Sequence, residues 1–561
     1  MIPTLENPYY YLANFHTVLD WIAERYDDLL VDQERDFIRQ FSALPKASQA
    51  LLARMVMRKG ELFRASKLNY AEIGDTRLAA APLVALGWVD DEPLLYLEHL
   101  FVLLKKDEIA RALALPPALA AAKKAQQLEA LRDSYGEQTR SLQHWYSDGS
   151  DGRDCADCID CVYHLLIGPL CERLRLMFFG NLYQDWTEFV LADLGIYKYE
   201  KVEFSAASRG FRTRADVDTY LHLQQCRERF QLEQPLPDIL ADMGEVLDNP
   251  WLEGRRSKLL FQIAQQYEKL QDWQPALAIY RGCSHPGSRA RAIRVLERLQ
   301  EFGAAFELAE IAAQAPESEA EQQQLARMLP RLRRKLGQPR LPASAALSLS
   351  SVELRLPRPQ QDFYVEAVVR DHLAQSDADA SVHYVENTLI NSLFGLLCWD
   401  AVFVSLPGAF FHPFHTGPVD LHSADFYRRR EREFQLCLAQ LDSDQYRHTI
   451  RQCFAAKAGI QSPFVSWGSL SQDLLEQALA CIPARHLKSC FDRILQDIKA
   501  NRSGLPDLVQ FWPQEQRYQL IEVKGPGDRL QDNQLRWLDY CVAHDIPVAV
   551  CYVEWLEEGA A

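Results

Sequence analysis

The chain has 561 residues, 48% hydrophobic and 25% charged, with 61 Lys and Arg against 77 Asp and Glu for a formal net charge of −16. That length exceeds one hydrophobic core and points to about three or four domains. The acidic balance excludes a uniformly basic nucleic-acid binder but leaves room for a local basic groove. No apolar run reaches the roughly 20 residues that cross a bilayer. The start, Met1-Ile2-Pro3-Thr4-Leu5-Glu6-Asn7, has no basic-then-apolar signal pattern. A cytoplasmic protein is expected, its 13 cysteines reduced rather than paired.

In chain order, residues 8–70 are helix-rich and aromatic, with Tyr11, Phe15, Trp21, Phe37 and Phe41 at roughly helical spacings. Leu51 to Gly60 is amphipathic and carries Arg58 and Lys59, which serve either as phosphate contacts or as a solvated helix face. Gly74 to Val89 resembles a small winged-helix-like unit. Leu103 to Leu115, with Lys105 and Lys106, resembles the first helix of a SAP-type DNA-binding module, and Pro116-Pro117 supplies its stop. Next comes Cys155-Ala156-Asp157-Cys158-Ile159-Asp160-Cys161. Its spacing admits zinc or an iron–sulfur cluster. Its continuation, Val162 to Ile167, fits a helix with Cys158, Cys161 and Leu165 on one buried stripe, and that reading is preferred because free cysteine behaves as a small hydrophobe.

Leu176 to Val190 reads as core, and Arg209 to Arg214 as a basic loop in which Arg212 and Arg214 are candidate phosphate contacts. Residues 246–340 show the small/large alternation of tetratricopeptide-like helix pairs. Two units are too few to stand alone, so neighbouring elements must cap them. Arg327, Arg331, Arg333, Arg334, Lys335 and Arg340 form the densest basic run, with Arg331 and Arg334 as candidate duplex contacts. Pro339 to Pro359 reads as a linker. Ser381 to Phe394 reads as one amphipathic helix with Glu386 on its burying face, where a carboxylate is costly unless paired or metal-bound. The His412, His415 and His422 spacing fits no zinc finger, and an aromatic loop is expected there.

The chemistry concentrates near the end. Leu505 to Trp512 reads as a strand, Pro513 to Arg517 as a turn and Tyr518 to Lys524 as a second strand. Alternate side chains share a strand face, so Glu522 and Lys524 project together and Asp507 can reach the same side. Two carboxylates and an ammonium suit metal-assisted phosphodiester hydrolysis: carboxylates bind Mg²⁺ or Mn²⁺, and a lysine orients water or offsets developing charge. A bare E-x-K is common and needs context. Here it is followed by Gly525-Pro526-Gly527-Asp528, a helical pattern over Leu530 to Tyr540 and a buried strand over Pro547 to Val553.

The strand-strand-helix-strand order resembles the core of PD-(D/E)XK nucleases. The string G-L-P-D followed by E-V-K-G-P-G-D-x-L-x-x-x-Q-x-x-W-L resembles the VRR-NUC branch. With the SAP-like stretch and the repeats before it, the chain resembles a compact, bacterial-type Fanconi-associated nuclease. The resemblance implies a mostly α-helical N-terminal two-thirds and a C-terminal α/β nuclease. It suggests an N-terminal helical domain over 1–75, a SAP-like region over 76–165, a helical domain with repeats over 166–360 and the nuclease over 361–561. It assigns Mg²⁺ or Mn²⁺ to Glu386, Asp507, Glu522 and the Val523 carbonyl, action on water to Lys524 and a supporting role to Gln534. It further implies 5′-flap endonuclease and 5′-to-3′ exonuclease activity in interstrand cross-link repair, on branched or flapped duplex DNA, away from membranes and at the nucleoid. A Holliday-junction resolvase-like enzyme and a non-catalytic DNA-binding scaffold are the alternatives.

Overall fold

The computed structural model describes residues 7–147, 160–204, 208–339, 349–359, 363–423 and 425–556. They form two compact units, one of residues 1–197 and 209–217, the other of 198–208 and 218–561. Among the described residues no helix is long and apolar enough to cross a membrane.

In the first unit the Tyr10–Tyr26 helix buries Tyr11, Phe15, Val18, Leu19, Ile22 and Tyr26, the spacing of one helical face. Phe15 packs its ring 4.9 Å from Phe41 and 5.2 Å from Trp186. A small antiparallel sheet follows, built from β1 (Leu62–Arg64), β2 (Val89–Asp90) and β3 (Val162–Leu165) in the order β1-β3-β2. Between β2 and β3 the chain inserts short helices with their own core around Leu100, Ile109, Leu131 and Trp145. Two expectations are corrected here. Val162–Leu165 is the central strand of this sheet, not part of a helix. A short apolar run carries no decisive period, and pairing with Leu62–Arg64, distant in sequence, decides its state. The segment expected to be one helix over Leu103 to Leu115 is split, since Leu97–Leu103 ends one helix and Lys106–Ala112 forms the next. Glu108 accepts from the Lys105 N–H at 2.6 Å and caps that second start. Cys155 and Cys158 lie outside the described residues. Cys161 is a free thiol whose carbonyl accepts from the Ala65 N–H at 2.9 Å.

In the second unit, helices Pro250–Lys269, Trp273–Arg281, Ser288–Arg298 and Phe302–Gln314 share a core of Ile263, Ala264, Ala276, Tyr280, Ile293, Leu296, Ala305 and Ala309. These are the expected repeat pairs. The Glu319–Lys335 helix caps them. Its Arg327 grips Asp532 through both guanidinium nitrogens at 2.6 and 2.8 Å.

The nuclease sheet contains β4 (Ser350–Pro357), β5 (Ser381–Tyr384), β6 (Leu508–Trp512), β7 (Arg517–Lys524) and β8 (Val548–Leu556) in the order β4-β8-β7-β6-β5. β5, β6 and β7 are antiparallel neighbours, whereas β7, β8 and β4 run parallel. The Asp532–Ala543 helix makes the crossover between β7 and β8, as a parallel pair requires. The Val365–Ser376 helix covers one face over Val382, Leu508, Ile521 and Val523. The other face, with Val509, Phe511, Leu520 and Val550, carries the larger core.

Two more expectations change. Part of the supposed linker is β4, an edge strand paired to β8. Along its length only Leu356 is buried, so its sequence offered almost no apolar alternation. Ser381 to Tyr384 is strand β5, and the helix begins only at Leu389. The apolar residues counted into one helix therefore divide between Val382, on the sheet face under the Val365–Ser376 helix, and Leu389, Ile390 and Leu393 in the larger core.

Candidate active site

β6 starts at Leu508 because Pro506 has no N–H to give to a ladder and Gly504 turns the chain at φ +89°. Leu508 pairs with Ile521, so the next step of the register sets Asp507 opposite Glu522. Both then stand on the larger-core face with Val509 and Leu520. Asp507 is 5% exposed and Glu522 fully buried. Asp507 Oδ2 accepts from the Val523 N–H at 2.8 Å, and its carbonyl accepts from the Val385 N–H at 2.8 Å. Lys524 Nζ lies 2.7 Å from Glu522 Oε1, but neither Glu522 oxygen receives a hydrogen bond of normal geometry. A fully buried carboxylate held by one poorly aligned ammonium is costly in a protein interior.

The electrostatics follow. Burial pushes the Asp507 carboxyl up to about 6, and the charges of Glu386 and Glu366 push the same way against the Val523 N–H and Lys524. Burial pushes Glu522 up to about 7, helped by Asp507 and Glu386 and opposed by Lys524. Glu386 therefore does share this field, but from a different element than expected. It lies in the turn after β5, not on a helix, and is held on both oxygens. The Tyr384 hydroxyl donates to Oε2 at 2.5 Å and Asn387 Nδ2 to Oε1 at 3.2 Å.

Glu366 is a site carboxylate that the sequence reading missed. It sits in the first turn of the Val365–Ser376 helix. A Cβ placed on Gly525 would meet Val365 at 3.3 Å, which locates that helix start beside the end of β7. The available signal was an acidic residue opening the helix just before β5.

Among the described residues no three Asp, Glu, His or Cys side chains are already drawn to the spacing of a metal shell. The donor set nevertheless fits a hard divalent cation. It offers buried carboxylate oxygens, two of them without hydrogen bonds, whose present neighbours include an ammonium, a phenol and an amide. Elsewhere, the His412 and His415 rings stack at 3.9 Å and accept loop N–H groups from Phe414 and Phe411, an aromatic loop as expected.

Of the remaining candidates, Gln534 spends its Oε1 on the Gln531 N–H at 2.8 Å, capping its own helix. Arg214 binds buried Glu34 at 2.6 Å, and Arg331 binds Glu297 at 2.5 and 2.7 Å. These two are held by carboxylates of the protein itself, because a guanidinium fork finds the nearest carboxylate when one is offered. Lys106 Nζ donates to the Ala121 carbonyl at 2.7 Å. Arg58 donates to the Lys67 carbonyl at 3.3 Å and, like Lys59, Lys105, Arg212 and Arg334, is exposed.

The fold and the site define a metal-dependent nuclease of the VRR-NUC class. The family model described as VRR-NUC domain matches residues 441–555, that of the FAN1 HTH domain residues 9–90 and that of the Fanconi anemia-associated nuclease SAP domain residues 94–145. The Fanconi-associated nuclease 1 homolog of Pseudomonas aeruginosa is 58% identical over 99% of this chain and 97% of its own. The homolog of Oryza sativa is 24% identical over 97% of this chain and 62% of its own. A crystal structure of paFAN1 bound to 2-nt 5′ flap DNA with a gap superposes with a TM-score of 0.94 at 57% identity, covering 99% of this chain and 100% of that one. The chain belongs to the Fanconi-associated nuclease family and is a DNA nuclease.

Proposed function

We propose that the chain cuts 5′ flaps near the junction and trims 5′ ends, in the repair of DNA interstrand cross-links. The observation that carries this reading is the buried Glu522 beside Lys524, opposite Asp507 one step beyond the Leu508–Ile521 pair. Its support in substrate class is the 57% identity to a protein bound to 5′ flap DNA. Glu386, Asp507, Glu522 and the Val523 carbonyl would hold Mg²⁺ or Mn²⁺, which when bound supplies a water-derived nucleophile and offsets phosphate charge. Lys524, on the same strand face, orients the attacking water and stabilises negative charge as it develops. Asp507 and Glu522 titrate near 6 and 7, so protons compete with the cation in acid.

The exposed cations Arg58, Lys59, Lys105, Arg212 and Arg334 are phosphate contacts in this reading, with Lys106 a weaker one because its ammonium is already engaged. Such contacts read shape and backbone rather than base sequence. A cytoplasmic, nucleoid-associated site of action follows from that substrate. The test is cleavage of an end-labelled 5′-flap duplex in Mn²⁺ and in Mg²⁺ by wild type and Asp507→Ala, beside a four-way junction. Flap cleavage that vanishes in the variant is expected. Equal cleavage by both, or preference for the junction with paired symmetric cuts, would overturn the reading.

A further inference from the structure

Glu386 and Asp507 are separated in the chain by the whole helical insertion between β5 and β6, yet the two segments that carry them are laced together. The Val385 N–H donates to the Asp507 carbonyl at 2.8 Å, the Leu505 N–H to Asn387 Oδ1 at 3.1 Å, and Asn391 Nδ2 to the Arg502 carbonyl at 2.9 Å. Asn387 stands at the centre. Its Oδ1 takes the backbone of the Gly504-to-Asp507 loop while its Nδ2 donates to Glu386 Oε1 at 3.2 Å. One planar amide thus ties a carboxylate on one segment to the main chain that carries the other. Its own carbonyl is held in turn by Asn391 Nδ2 at 2.8 Å.

The backbone requirement is equally specific. Asn387 has φ +53°, a left-handed conformation that asparagine tolerates and branched or bulky residues do not. Glycine meets the backbone demand without the amide. Aspartate keeps the acceptor for Leu505 but places a second negative charge where Glu386 now finds a donor. The other oxygen of Glu386 is held by the Tyr384 hydroxyl at 2.5 Å.

We propose that Asn387, assisted by Tyr384, is a positioning residue that sets the distance between Glu386 and Asp507 and so governs how tightly the site holds a divalent cation. This rests on the reading of Glu386, Asp507 and Glu522 as cation ligands. A carboxylate already oriented loses less freedom when it is captured, and partners that orient ligands are worth about 10- to 100-fold in metal affinity.

The experiment is a titration of the full chain with Mn²⁺ alone, free Mn²⁺ being read by electron paramagnetic resonance. It compares wild type, Asn387→Gly, Tyr384→Phe and Asp507→Ala, with melting temperatures taken in chelator. Asn387→Gly is expected to fold, because glycine accepts the backbone, to melt somewhat lower in chelator because the Leu505 N–H loses its acceptor, and to weaken Mn²⁺ binding about tenfold or more. Tyr384→Phe, which loses a single oxygen, should weaken binding in the same direction by a smaller factor, and it reads the proposal even if the glycine variant does not fold. A lowered melting temperature with unchanged Mn²⁺ affinity would mark Asn387 as merely structural and overturn the proposal. So would unchanged affinity in both variants. Wild type that binds Mn²⁺ no better than Asp507→Ala would overturn the ligand assignment itself, and the proposal with it.

Discussion

Glu522→Gln is expected to stabilise the metal-free protein at alkaline pH. Burial and the Asp507 charge raise the Glu522 carboxyl from 4.5 to about 7. The folded chain therefore binds this proton more tightly than the unfolded chain does. The stability it contributes is present below about pH 4 and is lost as pH rises through about 7. At pH 8 the full penalty for an ionised, buried carboxylate applies, on the order of 3 kcal/mol at about 1.36 kcal/mol per pKa unit. The amide removes that penalty but leaves Lys524 without its partner and needs hydrogen bonds of its own, so the net gain is ~1–2 kcal/mol. For a domain of about 150–250 residues this is roughly 2–8 °C in melting temperature. The assay is thermal unfolding of both proteins in chelator at pH 8 and pH 5, then at pH 8 with excess Mn²⁺. The variant should melt higher at pH 8, the gap should close toward pH 5, and Mn²⁺ should reverse the order by binding the wild type. A variant that melts at or below wild type at pH 8 in chelator would refute the account of Glu522 as a buried, under-satisfied carboxylate.

Lys524→Ala should lower kcat about 10²- to 10³-fold on flap DNA while Mn²⁺ binding, read separately, stays within a few-fold of wild type. Gly504→Ala should destabilise by about 2 kcal/mol or more, since its new Cβ would lie 2.7 Å from the Asn533 carbonyl carbon at a φ of +89°; chemical denaturation measures it. Arg334→Ala should reduce the salt slope of DNA binding by about one, whereas Arg331→Ala, whose guanidinium is held by Glu297, should leave the slope unchanged. In single-turnover cleavage at limiting Mn²⁺, the rate should climb from pH 5.5 to 7.5 as Asp507 and Glu522 lose their protons, and a flat profile would contradict their raised values.

Local pattern carried the hairpin of Asp507, Glu522 and Lys524. Period-two alternation puts Glu522 and Lys524 on one face of β7 whatever surrounds them. The Gly504-to-Asp507 turn precedes a strand that can pair only antiparallel across so short a connection. The repeat helices were equally legible, because a small/large alternation sustained over several turns has one period that fits. Elsewhere the local signal was silent or misleading. Val162–Leu165 and Ser381–Tyr384 are too short to show a period, and each became a strand because a partner distant in sequence supplied its hydrogen bonds. β4 is an edge strand with a single buried side chain, so composition alone read it as a linker.

The basic residues follow the same logic. A count of Arg and Lys cannot tell that Arg214, Arg327 and Arg331 each meet a carboxylate far along the chain. That pairing, and not the charge itself, decides which cations remain for phosphate. Glu386 combines both cases. The sequence marked it as a carboxylate among apolar residues, but the helix face on which that reading set it does not form; its place in a turn, held by Tyr384 and Asn387 and brought to Asp507 by bonds between distant segments, depends on contacts that no local period encodes.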